Sequence, residues 1–320
     1  MILFWTDPSA PGGWSRLERC VTLGVNALSR NGLALALPRP GRAAGYLAGR
    51  RVKFYTQDMV LGEFPEETRL LVLDMAFPGE TAQRMAAACR NRKVPVAVIN
   101  DPGDATEFSA DFRLGGWPAA QPAGEPPGME WAILHPRFRH VHRLNRNYPG
   151  KPRRILLHLE DRLEFRSLSD LIDPLWRAGY RLRIGPVAAI RGNLKRALTR
   201  KFSGIRWVGA VECMARPFHE ADAAVIAPGA AAFEAAAAGT PALYLCGNKG
   251  ERKAAARLEE LGLGFTADSP KEVLAGLDED TLRRCGETAR GLVDGRGLFR
   301  TLDFLRSRGV LPRKPEVEAT

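Results

Sequence analysis

Between Asp222 and Lys249 the chain carries a single charged residue, Glu234. It stands five positions after Gly229, in an Ala-rich run that ends in Gly239-Thr240-Pro241. Residues 223–226 and 242–245 on either side are short apolar runs suited to buried strands. A strand, a tight glycine turn, a helix and a second strand would place a helix N-terminus at the carboxyl edge of a sheet. Unpaired N–H groups and the positive end of the helix dipole gather there, where α/β proteins bind phosphate. An isolated carboxylate on such a helix suits hydrogen bonding, for example to two sugar hydroxyls. The plainer alternative is an exposed helix acid.

The other chemically able residues are dispersed. Asp74 and Asp101 follow apolar runs at residues 70–73 and 94–99. At the ends of parallel strands each would serve as a general base toward water or an acceptor hydroxyl, or as the cap of the next helix. His158 ends another apolar run and is the histidine best placed for acid–base work. Gly12 and Gly13 lie in a turn-rich loop at residues 7–15 that could form a phosphate nest, with Arg16 and Arg19 adding positive charge. A Gly-Gly pair is more often explained by an ordinary surface loop. His140 and His142 have no neighbouring acid or cysteine and read as part of a solvated basic linker, not as metal ligands. Cys20, Cys89, Cys213, Cys246 and Cys285 have neither zinc spacing nor a disulfide pattern. No metal and no cofactor is expected, and a reducing cytoplasm is the simplest setting.

These residues need a scaffold, and the periodicity supplies one. Short apolar runs alternate with amphipathic stretches, the pattern of an α/β fold with parallel strands. Strands are expected near residues 2–6, 33–37, 52–55, 70–74 and 94–99, with a first helix from about Arg16, where Leu17, Cys20, Val21, Gly24 and Leu28 share a face. Residues 102–130 are rich in Gly and Pro and weakly periodic. Around residues 135–154 prolines and cations form a linker-like segment, after which a second α/β series begins. The expected organisation is two Rossmann-like domains facing a cleft, residues 1–145 and 146–320.

The sequence of 320 residues has 47 Lys and Arg against 36 Asp and Glu, a formal net charge of +11. That excess favours anionic partners such as nucleotides or an anionic membrane surface. Nucleic acid is not expected, because cations and aromatics do not interleave as in RNA-binding modules. No run reaches the roughly 20 apolar residues of a membrane helix, and the N-terminus lacks the core of a signal peptide. The expected location is the cytoplasm, with peripheral contact at the inner membrane as a variant.

The stretch from Ala221-Asp222 through Gly229 and Glu234 to Gly239-Thr240-Pro241 resembles sugar-nucleotide enzymes of the glycosyltransferase-B type. It is most similar to the nucleotide-sugar hydrolases of pseudaminic acid biosynthesis and their spore-coat relatives, and more distantly to the lipid-linked N-acetylglucosaminyltransferases of cell-wall synthesis. Weaker matches in family order are residues 19–23, Leu73-Asp74, Ile99-Asn100-Asp101 and residues 132–138. The resemblance implies that Glu234 binds ribose hydroxyls, that the backbone at Gly229 and Ala230 receives the diphosphate, and that Asn248 lies near the sugar or phosphates. The chain departs from the family in four places. The family's Gly-His pair, whose His is thought to act in hydrolysis, is Ser15-Arg16. The Ser/Thr residues after the glycine turn are Ala230, Ala231 and Ala232. A Gly-Gly-Ser-Asp stretch is residues 158–161, and Asn248 is followed by Lys249 instead of Gln. Arg16 cannot be a base, since a guanidinium stays protonated.

The expected function is therefore a sugar-nucleotide-dependent enzyme, glycosyltransferase or hydrolase, in surface-glycan biosynthesis. It would pass a glycosyl group, with a UDP-sugar as the expected donor, to water or to an acceptor, for which a lipid-linked molecule would suit the basic surface. The alternative is a non-catalytic nucleotide-sugar-binding or scaffold protein of the same fold.

Overall fold

The computed structural model describes residues 1–10, 12–28, 32–56, 65–75, 79–100, 108–117, 128–159, 165–185, 190, 192–209 and 213–312. Two six-stranded sheets organise them, and every strand pairing is parallel. The first sheet holds β1 (Ile2–Trp5), β2 (Leu33–Leu37), β3 (Lys53–Thr56), β4 (Leu70–Leu73), β5 (Val96–Ile99) and β6 (Phe112–Leu114) in the order β3-β2-β1-β4-β5-β6. The second holds β7 (Arg154–His158), β8 (Arg181–Ile184), β9 (Arg206–Trp207), β10 (Ala223–Ile226), β11 (Ala242–Leu245) and β12 (Phe265–Ala267) in the order β12-β11-β10-β7-β8-β9. Counted from its own first strand, each sheet reads 3-2-1-4-5-6, the doubly wound nucleotide-binding order. The winding reverses between β1 and β4, and between β7 and β10. A crevice opens at the carboxyl ends of each of those pairs, which is where such sheets hold ligands.

The central strands are apolar throughout because helices cover both faces. Ile2 to Trp5, Leu70 to Leu73 and Ala223 to Ile226 are all buried. Helix α1 (Gly13–Leu28) lays Leu17, Cys20, Val21 and Gly24 against the first sheet, the stripe its 3.6-residue period predicts. Elements also lie where no regular structure is expected from the sequence, among them α2 (Gly41–Gly49), strand β6, and a helix at Arg137–Arg143. Helix α3 (Glu80–Asn91) falls between β4 and β5, and the helix at Arg137–Arg143 follows as α4. The segment read as solvated linker is thus helical. Phe138 and Val141, three residues apart, supply one buried stripe, enough to fold it against its neighbours. His142 is not in open solvent either: its Nδ1 lies 3.2 Å from the carbonyl oxygen of Ala237.

The second domain continues with α5 (Phe165–Arg177), α6 (Gly192–Lys201), α7 (Ala215–Glu220), α8 (Ala230–Ala238), α9 (Lys249–Glu260), α10 (Pro270–Ala275) and α11 (Glu279–Leu292). Helix α4 packs into this domain, with Phe138 6.4 Å from Phe218 between ring centroids. The last helix, α12 (Gly297–Ser307), goes the other way. Leu298, Leu302 and Leu305 join Leu17, Phe4 and Leu35 in the first core. The chain therefore crosses between the cores twice, at residues 132–134 and again between Val293 and Leu298. The crossings touch. A Cβ on Gly297 would stand 2.2 Å from the carbonyl oxygen of Ala132, so only glycine fits there. Arg300 fastens the same point, donating to the carbonyl of Glu130 at 2.7 Å and gripping Asp294 with both Nη atoms.

Candidate functional site

At the second switch point, β10 runs through Ala227-Pro228 into Gly229 and α8. Gly229 has φ 153° and ψ −149°, a backbone that side-chain-bearing residues rarely adopt. Nothing lies within 4 Å of where its Cβ would be, so the turn itself demands glycine, not a crowded neighbour. No side chain caps the first turn of α8. By contrast α9, α10 and α11 are capped by Asn248, Ser269 and Asp278. The α8 start therefore presents backbone dipoles toward the cleft. At its other end Gly239 is left-handed, φ 68°, and the hydroxyl of the buried Thr240 donates to the carbonyl of Phe218 at 2.7 Å.

Glu234 is half-buried on α8 and faces α1 across a narrow cavity of about 30 Å³, lined also by Ala230 and Phe233 from its own helix and by Ser15, Glu18 and Arg19 opposite. That space is far below the roughly 300–1,000 Å³ of small-molecule pockets. A second cavity of about 250 Å³ adjoins it on the first domain.

At the first switch point, Asp74 follows β4 with no exposed surface. Arg19 binds it with two atoms, Nε to Oδ2 at 2.9 Å and Nη2 to Oδ1 at 2.7 Å. Arg16 Nε stands 3.8 Å from Oδ1, and the Cys20 thiol donates to Oδ2 at 3.6 Å. Burial, and next the nearby Asp74 charge, push the Cys20 thiol well above its ordinary range. The geometry makes Asp74 an anchor: two cations from the N-terminal turns of α1 share one carboxylate. Asp74 does not cap the next helix, whose N-cap is Gly79. A buried, doubly engaged carboxylate is also poorly placed to accept a proton from an acceptor.

The remaining expected site residues are placed as follows. Gly12 has φ 70°, and a Cβ on Gly13 would collide with the Asp7 carbonyl oxygen at 2.1 Å. The Gly13 N–H is donated to Ala10 O at 2.9 Å, so the loop closes partly on itself. His158 ends β7 beside β10, but it is 3 % exposed and its ring packs against Phe218 at 5.6 Å. It lines neither cavity. Asn248 is the N-cap of α9, accepting from Glu251 N at 3.0 Å while its Nδ2 donates to Glu251 Oε1, a capping pair that accounts for both residue types. Asp101 lies outside the described residues.

Sequence reasoning passed over Glu18, Thr22, Tyr46 and His135, all of which line the cleft cavities. Ser15, Glu18, Arg19 and Thr22 stand at i, i+3, i+4 and i+7 on one helix face, a signal that was present in the sequence. His135 is placed by the chain crossing, which leaves no local signal. Among the described residues no three His, Cys, Asp or Glu side chains converge as a metal set would.

Two parallel domains of this strand order, joined by a double crossing and facing each other across a cleft, have the glycosyltransferase-B architecture. No family model matches the chain, and no curated protein matches it in sequence. Solved structures do match it in shape. MurG of Acinetobacter baumannii gives a TM-score of 0.62 at 15% identity, over 96% of this chain and 99% of that one. A UDP co-structure of MnaA from S. aureus gives 0.64 at 12%, over 98% of each chain. The UDP-GlcNAc 2-epimerase of Neisseria meningitidis, bound to UDP-GlcNAc, gives 0.55 at 10%, over 96% and 99%. At such identities the likeness shows the fold. Among the described residues no helix is long and apolar enough to cross a membrane.

Proposed function

We propose that the chain is a sugar-nucleotide-dependent enzyme that binds a UDP-sugar between its domains and moves the glycosyl group to water or to an acceptor held by the first domain. The observation that carries this reading is the placement of Glu234: the lone acid of α8, a little over one turn past the Gly229 bend, at the switch point of the second sheet and facing the arginine-bearing helix α1. In this reading Glu234 accepts hydrogen bonds from the two ribose hydroxyls. The diphosphate lies against the uncapped first turn of α8. Arg16 and Arg19, held by Asp74, supply positive charge as the diphosphate departs. UDP in the MnaA structure and UDP-GlcNAc in the epimerase structure support the choice of uridine. The resemblance to nucleotide-sugar hydrolases supports water as one acceptor. The exposed Arg39, Arg42 and Arg51 around α2 would suit an anionic lipid-linked acceptor or membrane surface.

The replacement of the family's histidine by Arg16, and of its Ser/Thr residues by Ala230–Ala232, favours a second reading: a protein that binds the nucleotide sugar without turning it over. Calorimetric titration of UDP, UDP-N-acetylglucosamine and CMP, with Glu234→Gln alongside, tests the donor site. Both readings expect uridine binding that Glu234→Gln weakens by about 1–3 kcal/mol. Release of UDP from the sugar nucleotide separates them. No uridine binding by the folded protein would leave only an architectural likeness.

A further inference from the structure

Helix α1 borders both cleft cavities, and Glu18 stands where they meet. In the narrow cavity it lies beside Ser15, Arg19 and Thr22, opposite Glu234. In the larger one it shares the wall with Val21, Val25, Tyr46 and Arg50. Only Glu18, Thr22 and His135 line both. Resting on the nucleotide-sugar reading above, we propose that Glu18 is the general base of this cleft, taking the proton from an acceptor hydroxyl or water as that oxygen attacks the sugar.

The geometry suits the task. On the donor side Glu234 and the α8 start would fix the nucleotide. On the acceptor side a space of about 250 Å³ lies below the roughly 300–1,000 Å³ of drug-sized pockets, a fit for a monosaccharide-sized group. Its valine wall and Tyr46 ring would take the apolar face of such a group, and Thr22 and Asn26 its hydroxyls. The carboxylate disfavours an anion at the reacting end, so the reacting group is a neutral hydroxyl. The Trp14 indole N–H donates to Glu18 Oε1 at 3.3 Å, and the Trp14 ring packs edge-on against Tyr46 with centroids 5.1 Å apart. The carboxylate is thereby oriented without being buried.

The other titratable groups on the cavity walls are unsuited to the role. Burial, and next the charge of Glu18, push the Tyr46 phenol well above its ordinary value, so it stays protonated and is no base. Burial pushes the Cys213 thiol up to about 11. Arg19 and Arg50 are cations, and Arg50 lies over the Tyr46 ring at 3.8 Å. Glu234 is assigned to the ribose. His135 Nδ1 is already engaged by the backbone N–H of Arg137 at 3.2 Å. Farther back, Asp74 is sealed behind Arg19, and His158 lies under Phe218.

The step balances simply. The acceptor oxygen forms a bond to the anomeric carbon, and the bond from that carbon to the diphosphate oxygen breaks with its electron pair leaving on the diphosphate. The acceptor proton passes to a Glu18 carboxylate oxygen. The charge growing on the diphosphate is met by Arg16, Arg19 and the α8 dipole. The base thus sits two residues beyond the Arg16 that replaces the family's histidine.

The test uses the full chain and UDP-N-acetylglucosamine with water as acceptor, following UDP release across pH, alongside UDP affinity and thermal stability. Glu18→Gln, which can still accept from Trp14, is expected to lower the rate by about 10²–10⁴-fold, to leave UDP affinity and melting temperature unchanged, and to lose the fall in rate at low pH. Glu18→Asp is expected to keep that fall. A Glu18→Gln protein with wild-type turnover, or with lost UDP binding, overturns the proposal. So does a wild-type chain that binds UDP but releases none from the sugar nucleotide. A wild-type chain that does not bind UDP overturns the donor reading itself, and the role of Glu18 with it.

Discussion

Among the described residues each domain buries one aspartate next to a strand that flanks its switch point, and the two sit at opposite ends. Asp74 follows β4 at the carboxyl edge, where it holds Arg16 and Arg19. Asp222 precedes β10 at the amino edge. There it accepts the backbone N–H groups of Arg153 and Arg154 at 2.8 and 2.9 Å and pairs with the Arg154 guanidinium at 2.6 Å. One acid holds Arg19, which lines the narrow cavity, and the other fastens the start of β7 away from it. In doubly wound sheets ligands gather at carboxyl ends. On the proposed reading, position along the strand separates a site-building acid from a scaffold-building one when residue type and burial do not.

Removing each acid tests the contrast. Asp74→Ala would leave two buried guanidinium groups facing each other, so a loss of about 3–5 kcal/mol is expected, read by denaturant unfolding, together with weaker UDP binding. Gly229→Ala would force a side chain onto the φ 153° turn. It should cost about 1–3 kcal/mol and weaken UDP binding by displacing the first turn of α8, read by calorimetry. Asp222→Asn should cost roughly 1–3 kcal/mol with UDP affinity intact. The Asn oxygen can still accept both backbone N–H groups, so the loss would come from exchanging a charged acceptor for a neutral one; the Arg154 side chain is 48 % exposed, and a half-solvated pair contributes little. Equal loss of UDP affinity in Asp74→Ala and Asp222→Asn would break the comparison.

The pH dependence sharpens it. Burial alone would raise the Asp222 carboxyl, but hydrogen bonds from Arg154 and the two backbone N–H groups outweigh it and hold the group below its ordinary 3.8. Its stabilisation is therefore complete above the unfolded value and is lost as pH falls through the lower folded one. Asp222→Asn should flatten the acid limb of the stability curve below about pH 4. The smallest effect is expected at Asn248→Ala, about 0.5–2 kcal/mol from the lost cap of α9, with nucleotide affinity unchanged. A marked drop in UDP binding there would instead put Asn248 at the ligand.

Much of this was legible in the sequence. The runs around β1, β4, β10 and β11 are apolar on both faces, and Gly229 with Gly239-Thr240-Pro241 marks a turn and a helix exit that the structure contains. Helix α4 was obscured because its cations outnumber the two residues, Phe138 and Val141, that bury it. The fate of Asp74 was hidden as well: a strand-ending acid looks the same whether it meets solvent or a guanidinium 55 residues away in the chain. Glu18 and Arg19 share a helix face that periodicity could have revealed. His135 reaches the cleft only because the chain crosses there, and no local pattern encodes a crossing.

The return of α12 to the first core has a consequence for synthesis. Chains emerge from the ribosome N-terminus first, and domains generally fold as units in that order. Here Leu298, Leu302 and Leu305 are needed to close the core begun by Ile2, Phe4 and Leu17. The domain made first must therefore wait, with apolar surface uncovered, until the second has been translated. Its completion is a late event in the life of the nascent chain.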